Sequence, residues 1–183
     1  LHVRLGVDTS KAEEQVRGTA TLPHGTGKEK RVAVFTERFQ AEAKAAGATL
    51  VGGKELISEI KSSEKIDFDV AVADPDMMRE LAVVAKILGP KGLMPSPKND
   101  TVRTDIAAAV AEVRGGKVAF KTDTGANVHQ AVGKVSWDTI KLVENVQSFL
   151  DQLKKMKPAT SKGTFIKSAV VTSSMGPSVK VAL

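Results

Sequence analysis

Covalent catalysis needs a nucleophile, an acid–base pair or a set of metal ligands, and this 183-residue chain is poor in all three. It has no cysteine, which removes thiolate catalysis, disulfides and thiolate metal sites, and it has only three histidines. His2, His24 and His129 lie far apart in sequence with no partner at metal-ligand spacing, so neither a zinc site nor any cofactor is expected. No carboxylate or nucleophile stands at a recognisable spacing from His129, so a packing or hydrogen-bonding role is expected of it. The run Gly25-Thr26-Gly27-Lys28 resembles the end of a phosphate-cradling loop. That pattern fails, because it requires glycine where Leu22 stands and a hydroxyl residue where Glu29 stands. What the chain does offer is recognition chemistry, in the stretch S-A-V-V-T-S-S-M-G-P-S-V-K-V-A at 168–182. Thr172, Ser173 and Ser174 supply hydroxyls suited to ribose and phosphate, Met175 a flexible apolar side chain, and Gly176 room for another backbone to approach. The stretch holds no titratable base, so it can bind but not react.

The elements around that stretch must be strands. Val170, Val171, Val179 and Val181 are β-branched and flank the polar patch, predicting two short strands joined by a turn that ends in Pro177. At the other end of the chain, residues 1–7 alternate apolar and polar. After a polar turn at 8–14 a second alternating run passes through Val16, Gly18, Ala20 and Leu22, predicting a hairpin or two paired strands. Pro23, His24, Gly25 and Gly27, followed by a basic cluster, predict a hinge. From Val32 the texture becomes strand–helix alternation, with strands over 32–35, 50–51 and 68–73 and helices over 37–46, 55–62 and 77–88. Gly47 is placed to close the first helix, and Asp74 with Pro75 to open the third. This is the rhythm of a parallel sheet with covering helices. Residues 87–98, I-L-G-P-K-G-L-M-P-S-P-K, form a stiff loop carrying Lys91 and Lys98, because three prolines and two glycines forbid helix and regular strand.

Thr104 is expected to cap a helix over 105–114 whose Ile106, Ala109, Val110 and Val113 share one face, ended by Gly115 and Gly116. A strand over 117–120, a polar loop over 121–127 and one or two short strands within 128–135 follow. Ser136 is expected to cap the clearest helix, 137–157, with a stripe of Leu142, Val146, Phe149, Leu153 and Met156 widened by Ile140, Val143 and Leu150. Lys154, Lys155 and Lys157 complement its C-terminal dipole and Pro158 stops it. A short loop at 160–163 leads into a strand over 164–171.

Charge is distributed unevenly. Residues 1–24 with 116–183 hold 13 Lys/Arg against 7 Asp/Glu, whereas residues 25–115 hold 14 of each, so the net charge of +6 belongs to the two ends. A polyanion-binding domain interrupted by a neutral one accounts for this. With 42% apolar residues the chain can build real cores, and no apolar run approaches a membrane span. The start lacks an initiating Met and falls inside an alternating pattern, so an upstream segment is expected.

Long motifs run in order along nearly the whole chain: V-R-G-T with L-P-H-G-T-G-K, A-G-A-x-x-V-G-G, D-F-D-V-A-V-A-x-P-D-M-M, and I-L-G-P-K-G-L-M-P-S-P-K. They continue with V-G-K-V-S after His129, K-P-x-x-x-K-G-T-F, and S-S-M-G-P-S-V. In these motifs the chain resembles the bacterial-type ribosomal protein L-one family of the mobile large-subunit stalk. The resemblance implies a two-domain α/β molecule. Its split α+β domain, 1–24 and 116–183, binds rRNA and is interrupted by an inserted Rossmann-like, three-layer α/β domain, 25–115, with the hinge at Pro23, His24, Gly25, Gly27, Gly115 and Gly116.

The resemblance further implies a non-catalytic protein that binds large-subunit rRNA, assists release of deacylated tRNA from the exit site, and represses translation through its own mRNA. It would be a monomer within the ribosome, of a bacterial cytoplasm or an organelle. Carried over by position, the rRNA contacts are Thr164, Lys167, Thr172, Ser173, Ser174, Met175, Gly176 and Ser178, with Lys121 and Asp123 in a basic–polar–acidic loop. Thr124 departs from that loop, standing where lysine is common. The family's upstream aromatic and basic RNA contacts are not in this chain. Lys91 and Lys98 are candidate contacts to tRNA or other RNA. The competing reading is an α/β enzyme binding a nucleotide or phosphorylated substrate in the middle domain.

Overall fold

The computed structural model describes residues 1–11, 13–63, 66–161 and 163–182. Its contacts divide the chain into two compact units, Leu1–Lys28 with Gly115–Leu183, and Glu29–Arg114. The first unit begins with β1 (His2–Leu5) and β2 (Arg17–Thr21). The second holds β3 (Val32–Phe35), α1 (Gln40–Ala45), β4 (Leu50–Gly52), α2 (Lys54–Ser63), β5 (Val70–Ala73), α3 (Met78–Leu81), α4 (Ala85–Leu88) and α5 (Ile106–Arg114). The chain then returns to the first unit with β6 (Lys117–Lys121), β7 (Asn127–His129), α6 (Thr139–Lys155), β8 (Ile166–Val171) and β9 (Val179–Val181). Lys162, within the K-P-x-x-x-K-G-T-F motif, lies outside the described residues.

In the first unit, β7, β1, β8 and β9 form an antiparallel sheet in that order, and β2 pairs with β6 in a separate antiparallel ribbon. The two N-terminal strands therefore do not pair with each other, contrary to the expectation from their adjacency. The reason lies just past β1. The amides of Leu5 and Gly6 donate to the carbonyls of Ala126 and Phe165, and the following turn folds on itself as Asp8 N–H donates to the buried Glu14 carboxylate at 2.8 Å. Alternation told which residues of each strand face inward, not which strand lies beside it. Inward residues Val3, Leu5, Ala20, Val118, Phe120, Val128 and Ile166 pack against Phe149, Leu150 and Leu153 of α6. Phe120 and Phe149 meet edge to face at 5.2 Å between ring centroids.

Helix α6 starts later than its sequence suggests. Trp137 N–H donates to Lys134 in a turn, Asp138 precedes the helix without a side-chain cap, and Ser136 caps nothing. Ile140 and Val143 are 65% and 46% exposed, so they fall outside the buried stripe, which instead includes Asn145. Of residues 128–135, only 128 and 129 are in a strand.

The second unit is a parallel sheet in the order β4, β3, β5. All four residues of β3 are buried because its two faces serve different cores. Ala33 and Phe35 pack with Ile57, Ile60, Leu81, Val84 and Leu88 from α2, α3, the turn after α3 and α4, while Val32 and Val34 pack with Ala43, Ile106, Ala109, Val110 and Val113 from α1 and α5. This is a three-layer α/β/α arrangement. The helix expected over 77–88 is broken. A tight turn at Pro75–Met77 leads into α3, and a second at Ala82–Val84, falling on the β-branched pair Val83 and Val84, separates α3 from α4. Asp74 does cap, accepting from Asp76 N–H, but α5 is capped by Asp105, whose Oδ1 accepts from Ala108 N–H at 3.0 Å, and not by Thr104. Among the described residues no helix is long and apolar enough to cross a membrane.

Candidate nucleic-acid interface

β8 and β9 pair with Ala169 opposite Val181 and Val171 opposite Val179, which forces residues 172–178 into a projecting turn. Val171 and Val181 lean on the core and anchor its base. The Thr172 hydroxyl lies 2.9 Å from the Ser173 carbonyl and 3.2 Å from that of Gly176, tying the two sides of the turn together. Ser173 Oγ sits so close to Gly176 that a β-carbon there would collide with it. A glycine is therefore needed for the hydroxyl to keep this position. Ser173, Ser174, Pro177 and Ser178 are exposed, and Met175 is 99% exposed at the tip. A methionine so placed contributes nothing to packing, and its apolar chain is available to a ligand.

Lys167 belongs to β8 but is skipped by the pairing, because Arg4 lies opposite Ser168 and Leu5 opposite Ile166. This bulge leaves Lys167 exposed, with exposed Thr164 just before the strand and its carbonyl against Gly6. Lys121 ends β6 opposite Arg17 and is exposed. Asp123 accepts from the Asn127 amide at 2.7 Å, from Asn127 Nδ2 at 3.3 Å and from His129 Nε2 at 3.2 Å. The Asn127 backbone bond, reinforced by the side chains, holds its carboxyl below the ordinary carboxylate range. Asp123 is thus first a brace of its own loop. His129 has the hydrogen-bonding role expected of it, to a carboxylate that sequence spacing did not point to, and it has a second neighbour: His2 Nδ1 lies 2.6 Å from His129 Nδ1. That follows from antiparallel register, in which His2 stands directly opposite His129.

An open groove of about 420 Å³ lies between the hydroxyl turn and the histidine pair, lined by His2, His129, Gln130, Thr172, Ser173 and Ser174 among others. The structure thus brings the base of the hydroxyl turn and the histidine pair to one place. Lys91 and Lys98 belong to the other unit, exposed on a loop stiffened by Ser96, which caps the turn Pro97–Asn99, and by Thr101, whose hydroxyl bonds Ser96.

The residues expected to form a hinge lie where the first unit's two chain segments meet. Leu22 N–H donates to the Gly116 carbonyl, and a β-carbon on Gly116, at φ +110°, would come within 2.8 Å of Gly25 Cα. Pro23 is exposed beside His24, which approaches Glu144 at 2.5 Å, while Gly27 packs on the Trp137 ring. Asn145, buried in α6, organises this segment: its Oδ1 accepts from His24 N–H, and its Nδ2 donates to the carbonyls of Gly25 and Val132. Sequence reading passed over Asn145, although a polar residue between Leu142 and Phe149 on an apolar stripe was a usable signal.

Among the described residues, no group of three His, Cys, Asp or Glu side chains could hold a metal ion. The chain matches the Ribosomal protein L1p/L10e family over residues 1–177. It is 51% identical over 180 residues to the Large ribosomal subunit protein uL1 of Corynebacterium diphtheriae, covering 98% of this chain and 76% of that protein. It is 53% identical over 182 residues to the protein of the same name from Kosmotoga olearia, covering 99% of this chain and 78% of that protein. The enzyme reading of the middle segment therefore gives way, and the hydroxyl turn, the bulged Lys167 and the braced Asp123 loop belong to a structural protein. The chain is a non-catalytic, bacterial-type member of the Ribosomal protein L1p/L10e family.

Proposed function

We propose that this chain is a large-subunit ribosomal protein that binds large-subunit rRNA through the unit Leu1–Lys28 with Gly115–Leu183. That unit acts as a split RNA-binding domain, and Glu29–Arg114 as an inserted domain carried on the hinge. The observation that carries the reading is the turn at 172–178, where Met175 stands 99% exposed among hydroxyls on a pinned backbone. Ribose hydroxyls and phosphates match the serines and threonines, and Met175 packs against an exposed base. Thr164, Lys167 and Lys121 extend the contact along the phosphate backbone, and Asp123 keeps the loop beside Lys121 in shape. With no tyrosine and one tryptophan, the chain has few stacking platforms, so RNA shape and sugar contacts supply specificity. On the bacterial ribosome the complex forms the mobile stalk and assists release of deacylated tRNA, with Lys91 and Lys98 as the tRNA-facing cations. The same surface, offered an mRNA of similar shape, represses translation.

Binding of a large-subunit rRNA stalk fragment across a salt series tests the reading. Affinity is expected to fall linearly on logarithmic axes as salt rises. Met175→Asp is expected to weaken binding roughly tenfold or more, the equivalent of about 1.4 kcal/mol or more, with unchanged thermal stability. Wild-type affinity in that variant would remove the central claim. Charge reversal of Lys91 and Lys98 is expected to slow tRNA release while leaving rRNA affinity intact, and unchanged release would end their assignment.

A further inference from the structure

The histidine pair beside the groove has its hydrogens assigned by its neighbours. His129 Nε2 faces Asp123 Oδ2 at 3.2 Å, and a carboxylate only accepts, so Nε2 carries the hydrogen. In the neutral ring His129 Nδ1 is then the lone-pair nitrogen. It lies 2.6 Å from His2 Nδ1, which must be the donor, leaving His2 Nε2 as the basic atom. A proton added there makes His2 a cation without disturbing either hydrogen bond. A second proton, on His129 Nδ1, would set two donors head to head. The pair is therefore built to take one proton.

The surroundings decide when it does. Arg4 follows His2 on the same face of β1; β7 contributes His129, with Asp123 bound to it and to Asn127. Uncharged Val170 of β8 lies opposite His2, and Lys180 of β9 lies opposite Val170. Partial burial and the neighbouring His129 ring hold the His2 pKa down. Apart from the engaged Asp123, the charged residues on the strands flanking His2, Arg4 and Lys180, are positive, and an entering anion would offset them.

We propose that this groove seats a phosphodiester of the bound RNA backbone, held by Ser173, Ser174 and His2, and that His2 takes up one proton from solvent as the phosphate enters. The inference rests on the RNA-binding reading above. It adds a contact and a pH dependence to that surface: affinity rises as pH falls from 8 to 6.

The test is calorimetric titration of the rRNA stalk fragment into the intact chain near pH 7, in two buffers of different ionisation enthalpy, with affinities measured at pH 6 and 8. Net proton uptake is expected, with affinity gaining up to roughly tenfold per pH unit where one proton is fully linked. His2→Asn keeps a donor where Nδ1 stood but cannot take a proton, so it should lose both the uptake and the pH dependence. Uptake in that variant equal to wild type would overturn the proposal. In parallel, NMR titration of the wild-type His2 ring should show its midpoint rising when RNA is added, and an unmoved midpoint would overturn the proposal without any variant. Met175-dependent binding with no proton uptake would sink this inference alone, whereas absence of binding at every pH would sink it together with the RNA reading.

Discussion

Asn145 is wholly buried, donates to the Gly25 and Val132 carbonyls at 2.9 and 2.8 Å, and accepts from the His24 amide at 3.1 Å. Replacing it with leucine would leave those three backbone groups to find other partners, each at a cost of about 1–3 kcal/mol if none is found. Asn145→Leu is therefore expected to lose roughly 2–4 kcal/mol in urea unfolding, more than an average surface change would cost. Asp123 sets an acid limit on its loop. Because its folded pKa is depressed, its contribution is fully present above the ordinary carboxylate range and is lost as pH falls through the lowered value. Asp123→Asn should remove that part of the acid-side decline, which NMR titration of the Asn127 amide in wild type and variant will show.

Helix α6 is legible in sequence as a helix and misread at its margins. Its apolar stripe is right for Phe149, Leu150 and Leu153, whereas Ile140 and Val143 continue the pattern into solvent. Leu153→Ala is expected to cost about 2–5 kcal/mol in denaturant unfolding, against less than about 0.5 kcal/mol for Ile140→Lys. The β8–β9 hairpin was legible almost entirely, since its β-branched valines flank a polar turn and its pairing partner is its neighbour in sequence. What could not be read there was the bulge that frees Lys167, because it arises from the register against β1.

At the scale of the whole molecule, charge and structure divide together. Leu1–Lys28 with Gly115–Leu183 holds 14 Lys/Arg against 7 Asp/Glu, while Glu29–Arg114 holds 13 against 14. An RNA surface confined to the basic unit makes a quantitative demand. Lys167→Ala should lower the magnitude of the logarithmic salt slope by about 1, the loss of one phosphate contact. Salt-dependent binding with an unaltered slope in that variant would remove Lys167 from the interface.

Residue order alone carries the kinds of element, the switch from paired strands to strand–helix alternation, the poverty of catalytic groups, the segregation of charge and, through the long motifs, the family. These properties are local or additive: periodicities of two and 3.6 residues, turn chemistry and residue counts are present before any distant contact forms. Tertiary structure alone decided that β1 and β2 part company, that His2 meets His129, and that Asn145 holds the Gly25 segment. Each of these is a neighbour relation between residues more than a hundred positions apart or between strands with several equivalent partners. Such relations are set by which buried surfaces fit together when the core closes, and no local preference carries that information.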